Sequence, residues 1–230
     1  MNKIRLLLLL TVIILSNDVI AQKNWGVRLY QNTDYRSITE RYYFQQEGFW
    51  RQTIHTSGQI SFSRLSLALH TYTPTKWEHE FEVSYAQKSI PLSYEISKSD
   101  GIDMRSNFLA GQYELLYSLN DREKRFRLLL GMALLSYWTK FQLQPTIPNS
   151  FYSHDRYIGS RINVTPHATF RLTKKLLVDI NLKLGAYEIR QYQQFIKNPA
   201  IPENLQRENK IQHKFFPIAH TLRLGLEYRL

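Results

Sequence analysis

The chain has 230 residues, no cysteine, a net charge of +11 and 15 tyrosines, 12 phenylalanines and four tryptophans. Without cysteine there is neither a disulfide framework nor a thiolate metal site. The basic balance suits anionic lipid headgroups or lipopolysaccharide phosphates better than nucleic acid, because the first 21 residues look like an export signal.

That signal has Lys3 and Arg5, then an apolar run from Leu6 to Leu15, then Val19-Ile20-Ala21 as a small-residue cleavage site before Gln22. The run is short of the ~20 residues a spanning helix needs. The expected organisation is therefore a cleaved signal over residues 1–21 and one domain over 22–230.

Period-two alternation predicts eight strands. The first, Asn24 to Gln31, sets Trp25, Val27 and Leu29 against Gly26, Arg28 and Tyr30. A polar, aromatic stretch to Gly58 follows. The second strand ends in Leu65, Leu67 and Leu69, while Ile60 and Phe62 have the opposite parity, which predicts a bulge near Ser63-Arg64. After a turn at Tyr72–Thr75, the third sets Trp77, Phe81, Val83 and Tyr85 against Glu78, Glu80 and Glu82. Ser89 to Met104 is read as a loop. The fourth carries Leu109, Gly111, Tyr113, Leu115 and Tyr117, and turns at Asn120-Asp121 into the fifth, with Phe126, Leu128, Leu130, Met132, Leu134 and Trp138.

Gln142 to Arg156 is another loop. The sixth strand sets Ile158, Ile162, Val164, Ala168 and Phe170 against Arg161, Asn163, Thr165, His167, Thr169 and Arg171, with Pro166 predicting a bulge. Past Thr173–Lys175, the seventh sets Leu176 to Ala186 against Asp179, Asn181, Lys183, Gly185 and Tyr187. Gln191 to Gln212 is the last loop. The final strand alternates from Phe216 through Ile218, His220, Leu222, Leu224, Leu226 and Tyr228 to Leu230. A ten-stranded alternative would form an extra hairpin from Ile38 to His55.

Three features turn the apolar face outward. Connections alternate long and short, as in outer-membrane barrels. An eight-stranded lumen is too narrow for so many bulky residues. Aromatics of one parity (Trp25, Trp77, Tyr117, Phe126, Phe170 and Tyr228) recur at the short-turn ends and predict a girdle at the membrane boundary. The expected fold is all-β, an eight-stranded antiparallel transmembrane up-and-down barrel in the outer membrane. A lipocalin-like secreted barrel is the alternative.

The same parity predicts an interior charge network of Glu78, Glu80, Glu82, Glu114, Asp179 and Glu227 with Arg28, Arg64, Arg127, Arg161, Arg171, Lys183, Arg223 and Arg229. Such charges must be paired in a dry lumen. The alternatives are an internal plug and a selective channel or proton path.

Arg223-x-Gly225-x-x-Tyr228-x-Leu230 resembles the C-terminal signal that barrel-assembly machinery reads, departing from it in ending on leucine. With the export signal and loop asymmetry, the chain resembles the small OmpA/OmpX-type outer-membrane barrels. That resemblance implies the fold and the assembly machinery as a partner, not a function. Some barrels of this type are enzymes. His55-x-Ser57 has the spacing of a deacylase pair, and His154-Asp155 that of a protease dyad, but neither has an identified third group. No metal or cofactor motif appears. The expected role is non-enzymatic: a structural, adhesive or assembly component in contact with membrane lipid and, at its long loops, a protein partner.

Overall fold

The computed structural model describes residues 25–46, 49–73, 75–93, 101–121, 123–145, 153–197, 202–217 and 219–230; side chains within 35–62, 88–104 and 143–153 lie outside the described residues. The strands are β1 (Trp25–Gln46), β2 (Phe49–Tyr72), β3 (Trp77–Ser93), β4 (Gly101–Ser118), β5 (Phe126–Pro145), β6 (Ser153–Arg171), β7 (Leu176–Ile196), β8 (Arg207–Phe215) and β9 (Ala219–Arg229). Each pairs antiparallel with its sequence neighbour from β1 to β8. β9 closes the cylinder between β7 and β1.

β8 and β9 are two segments of one barrel strand. β8 pairs with the upper part of β7 (Tyr187↔Phe215) and β9 with its lower part (Leu184↔His220). The break corrects the prediction of an unbroken strand from Phe216. Phe216 has φ 47°, a left-handed conformation costly for a bulky residue, and Pro217 follows with no N–H to donate. The barrel is thus eight-stranded, and residues 38–55 extend β1 and β2 as one long hairpin instead of adding two strands.

The other predicted loops are largely hairpin as well. β3 and β4 stay paired to Ser93↔Gly101, β5 and β6 to Leu143↔Ser153, and β7 and β8 to Phe195↔Arg207. Polar sequence hid these extensions, because strands projecting into water need no apolar face. β1 and β2 run for 22 and 24 residues, about twice the ~9–11 that cross a bilayer.

The irregularities fall elsewhere than predicted. The bulge in β2 is at Gly58, where Ser37↔Gln59 gives way to Ile38↔Ser57; Ser63 and Arg64 pair regularly with Thr33 and Asn32. Pro166 stays in register with Leu130 of β5, but the ladder from β6 to β7 lapses between Val164↔Leu184 and His167↔Asn181. The extra residue is on β7, at Ala186 between Ile162↔Tyr187 and Asn163↔Gly185, nearer the outer end than Pro166. That bulge reverses the parity of β7: Asp179, Asn181 and Lys183 are buried below it, Glu188 and Tyr192 above it, and Tyr187 is not inward as predicted.

The wall is largely inside-out. Leu65, Leu67, Phe81, Leu109, Leu130, Met132, Leu134, Ile180, Leu224 and Leu226 are all exposed, while every alternate residue between them is buried. Only a hydrocarbon solvent makes this arrangement favourable. Trp77 packs edge-on to Tyr117 at 5.0 Å. The Arg125 guanidinium lies 4.8 Å over the ring of Phe170, and the Lys175 ammonium 5.6 Å over that of Tyr228. Aromatic rings and cations thus meet at the short-turn boundary.

Two substitutions test the orientation. Met132→Arg, at mid-wall, is expected to destabilise folding into phospholipid vesicles by about 2–4 kcal/mol, and Tyr228→Arg at the boundary by about 0–1 kcal/mol. Equal costs in a denaturant titration would overturn the placement of the hydrocarbon band.

Candidate functional site

Alternation along the strands delivers the polar side chains to the barrel axis, where they form stacked tiers. Nearest the short turns, Arg127 bonds Glu78 and donates to the Ser118 hydroxyl at 3.3 Å. His70 lies between Glu78 (3.1 Å) and Glu227 (3.4 Å), and the Tyr72 hydroxyl also donates to Glu227.

The middle tier is built on two arginines. Arg28 bonds Glu227 at 2.5 Å and Glu80 at 2.7 Å. Arg223 donates to Glu82 at 2.6 Å, Glu114 at 2.7 Å and Glu80 at 3.1 Å, bonds Asn181, and stacks 4.5 Å over the Tyr30 ring. The Tyr30 hydroxyl lies 2.7 Å from Asp179 and 2.8 Å from Glu80, with one proton to serve them. His167 sits between Glu114 (2.8 Å) and Asp179 (3.1 Å).

Above this, Lys183 joins Arg223 on Glu82, at 2.7 Å. Arg64 pairs with Asp34, which also accepts from Thr221 at 2.5 Å. At the outer mouth Arg161 and the Tyr137 hydroxyl bind Glu188, at 2.6 and 2.7 Å. Phe108, Ala110, Leu135 and Tyr137 form an apolar cluster there.

Of the predicted network, Glu78, Glu80, Glu82, Glu114, Arg64, Arg161, Lys183, Arg223 and Glu227 are at most 5% exposed. Arg171 is a correction. It is the last residue of β6, with its side chain 23% exposed at the rim, and it reaches Glu123 in the neighbouring turn. Arg229 likewise ends β9 and donates to the Tyr72 hydroxyl from the rim. Sequence reading missed Asp34, His70 and Glu188 as members. Asp34 and His70 share the parity of Arg28 and Arg64 and could have been found; Glu188 is inward only because of the Ala186 bulge.

The buried acids are Asp34, Glu78, Glu80, Glu82, Glu114, Asp179, Glu188 and Glu227; the buried bases are Arg28, Arg64, Arg127, Arg161, Lys183 and Arg223. His70 and His167 lie among them, each ring with a carboxylate against both nitrogens. Among the described residues no cluster of His, Asp and Glu is placed to hold a metal ion.

The C-terminal motif has structural work inside this arrangement. Arg223 is fully buried, and a Cβ at Gly225 would collide with the Tyr30 ring. Tyr228 faces outward, and the amide of Leu230 donates to Trp25 at 3.0 Å, latching the closing strand to the first. His55 and Ser57 have side chains outside the described residues. His154 and Asp155, consecutive on a strand, point to opposite faces.

Removing one partner from a dry network leaves others charged and unpaired, at about 3–5 kcal/mol. Arg223→Met, or charge reversal at Glu80 or Glu82, is therefore expected to cost about that much in vesicle unfolding. Loss of the exposed Lys124–Asp121 pair should cost under about 1 kcal/mol. A variant of Arg223 as stable as the parent would refute the buried network.

No protein-family model and no curated protein sequence matches the chain. Among solved structures it is similar to the outer membrane protein OprG from Pseudomonas aeruginosa, at 11% identity over 90% of this chain and 97% of that one, with a TM-score of 0.52. It is also similar to the outer membrane protease OmpT from Escherichia coli, at 10% identity over 90% and 97%, with a TM-score of 0.52. At such identity the likeness is one of fold, and the fold is that of outer-membrane β-barrel proteins.

Proposed function

We propose that the protein is a non-enzymatic outer-membrane component, structural, adhesive or complex-forming, that acts through the hairpins projecting beyond the membrane. The supporting observation is the pairing of a plugged axis with overlong strands. Buried arginines and carboxylates line the axis from Glu78 to Glu188, which supports a plugged interior over an open pore. The β1–β2 hairpin, by contrast, extends about a bilayer's thickness past the membrane. A paired two-stranded ribbon supplies backbone edges that suit protein contact, and its sequence toward the tip is rich in aromatic residues.

Reconstituted in planar bilayers, the mature chain is expected to show no discrete conductance; single-channel steps would favour a channel instead. The hairpin role is tested by replacing residues 38–58 with an Asn-Gly turn across the Ser37↔Gln59 pair. The shortened protein should keep its heat-modifiable folded form, yet lose partners cross-linked to the parent in native outer membranes. An unchanged cross-linking pattern would overturn the proposal.

A further inference from the structure

The lipid-facing wall is indented on one side. Register sets Gly111, Ser136 and Ser160 in a single row across β4, β5 and β6, with Ile189 next on β7. Bulky rows lie on either side, Leu134 and Ile162 toward the membrane centre, Trp138 and Ile158 toward the outside. The small row leaves a groove of about 490 Å³. The Ser136 and Ser160 hydroxyls bond each other at 3.1 Å, which lowers the cost of facing them to hydrocarbon. The groove opens outward from a membrane-spanning wall, where the neighbouring molecules are acyl chains.

Just beyond Trp138, where the wall leaves the hydrocarbon, Lys140 and Arg156 sit directly opposite each other, flanked by Asn107 and Gln193. Like charges in that position repel. Among the described residues neither cation has an ion-pair partner, and the Arg156 Nε is buried without a hydrogen-bond acceptor. The geometry points to a lipid site. We propose that this face holds a phosphorylated, multiply acylated glycolipid of the outer leaflet, with an acyl chain in the groove and a phosphate bridging Lys140 and Arg156. A phosphate monoester carries about two negative charges and matches two adjacent cations, whereas a zwitterionic headgroup would bring its own ammonium against them. The flanking amides suit sugar hydroxyls. This site is independent of the hairpin role.

The test uses the full mature barrel in phosphatidylcholine nanodiscs doped with lipid A or, separately, phosphatidylglycerol, with retained lipid counted by native mass spectrometry. Lipid A should be retained in preference to both phospholipids. Lys140→Gln with Arg156→Gln should lower its retention roughly thirtyfold, at about a factor of five per cation. Gly111→Leu should also lower it without altering thermal unfolding, since a Cβ there meets nothing within 4 Å. Lys174→Gln with Lys175→Gln, on the opposite rim, should leave it unchanged. Equal retention of phosphatidylglycerol, or wild-type retention in either the cation or the glycine variant, would overturn the proposal.

Discussion

The guanidinium of Arg223 holds the barrel together at its axis. From β9 it reaches carboxylates on β3 and β4 and an amide on β7, and it lies against a tyrosine ring on β1. A planar donor fork with no proton to lose is the side chain best suited to several acids at once. An isolated charge in this dry lumen would be prohibitive, and so would an isolated acid. Each is tolerable only because the other is there. The backbone ladders make the cylinder; this cation and its acids decide how its eight walls are drawn onto one another.

Neutrality then spreads outward from that contact. The acids that Arg223 does not reach are met by Arg28, Arg64, Arg127 and Arg161, Lys183 joins it on Glu82, and His70 and His167 each lie between two carboxylates. Close approach is as necessary as charge. Gly225 leaves room for Tyr30, which in turn carries the face on which Arg223 rests. A methyl group on that glycine would push the tyrosine into the ion pairs.

Around an axis filled by ion pairs among the described residues lie the barrel's surfaces. Two differ from a bare membrane anchor. The strands continue as ribbons far beyond the bilayer, and one sector of the wall carries a groove beneath unneutralised cations. Both arise from the same backbone: strands long enough to leave the hydrocarbon expose polar residues above it and a strip of small residues within it.

The alternation of Leu65, Leu67 and Leu69 or of Leu222, Leu224 and Leu226 was enough to identify membrane strands, because a two-residue period in hydrocarbon leaves no other solution for the backbone. It also placed Glu78, Glu80, Glu82, Glu114 and Arg223 on one side, and the girdle aromatics on the other. Three things were decided only in the tertiary structure. Strand length beyond the membrane was one, since ribbons in water carry no apolar signature and the polar stretches looked like loops. The second was the inward turn of Glu188, which depends on a single extra residue at Ala186 opposite Ile162 and Asn163. The third was the pairing itself: parity says which charges share the lumen, but the closing of the barrel brings Arg223 to Glu114, and no local pattern encodes the distance between residues so far apart in the chain.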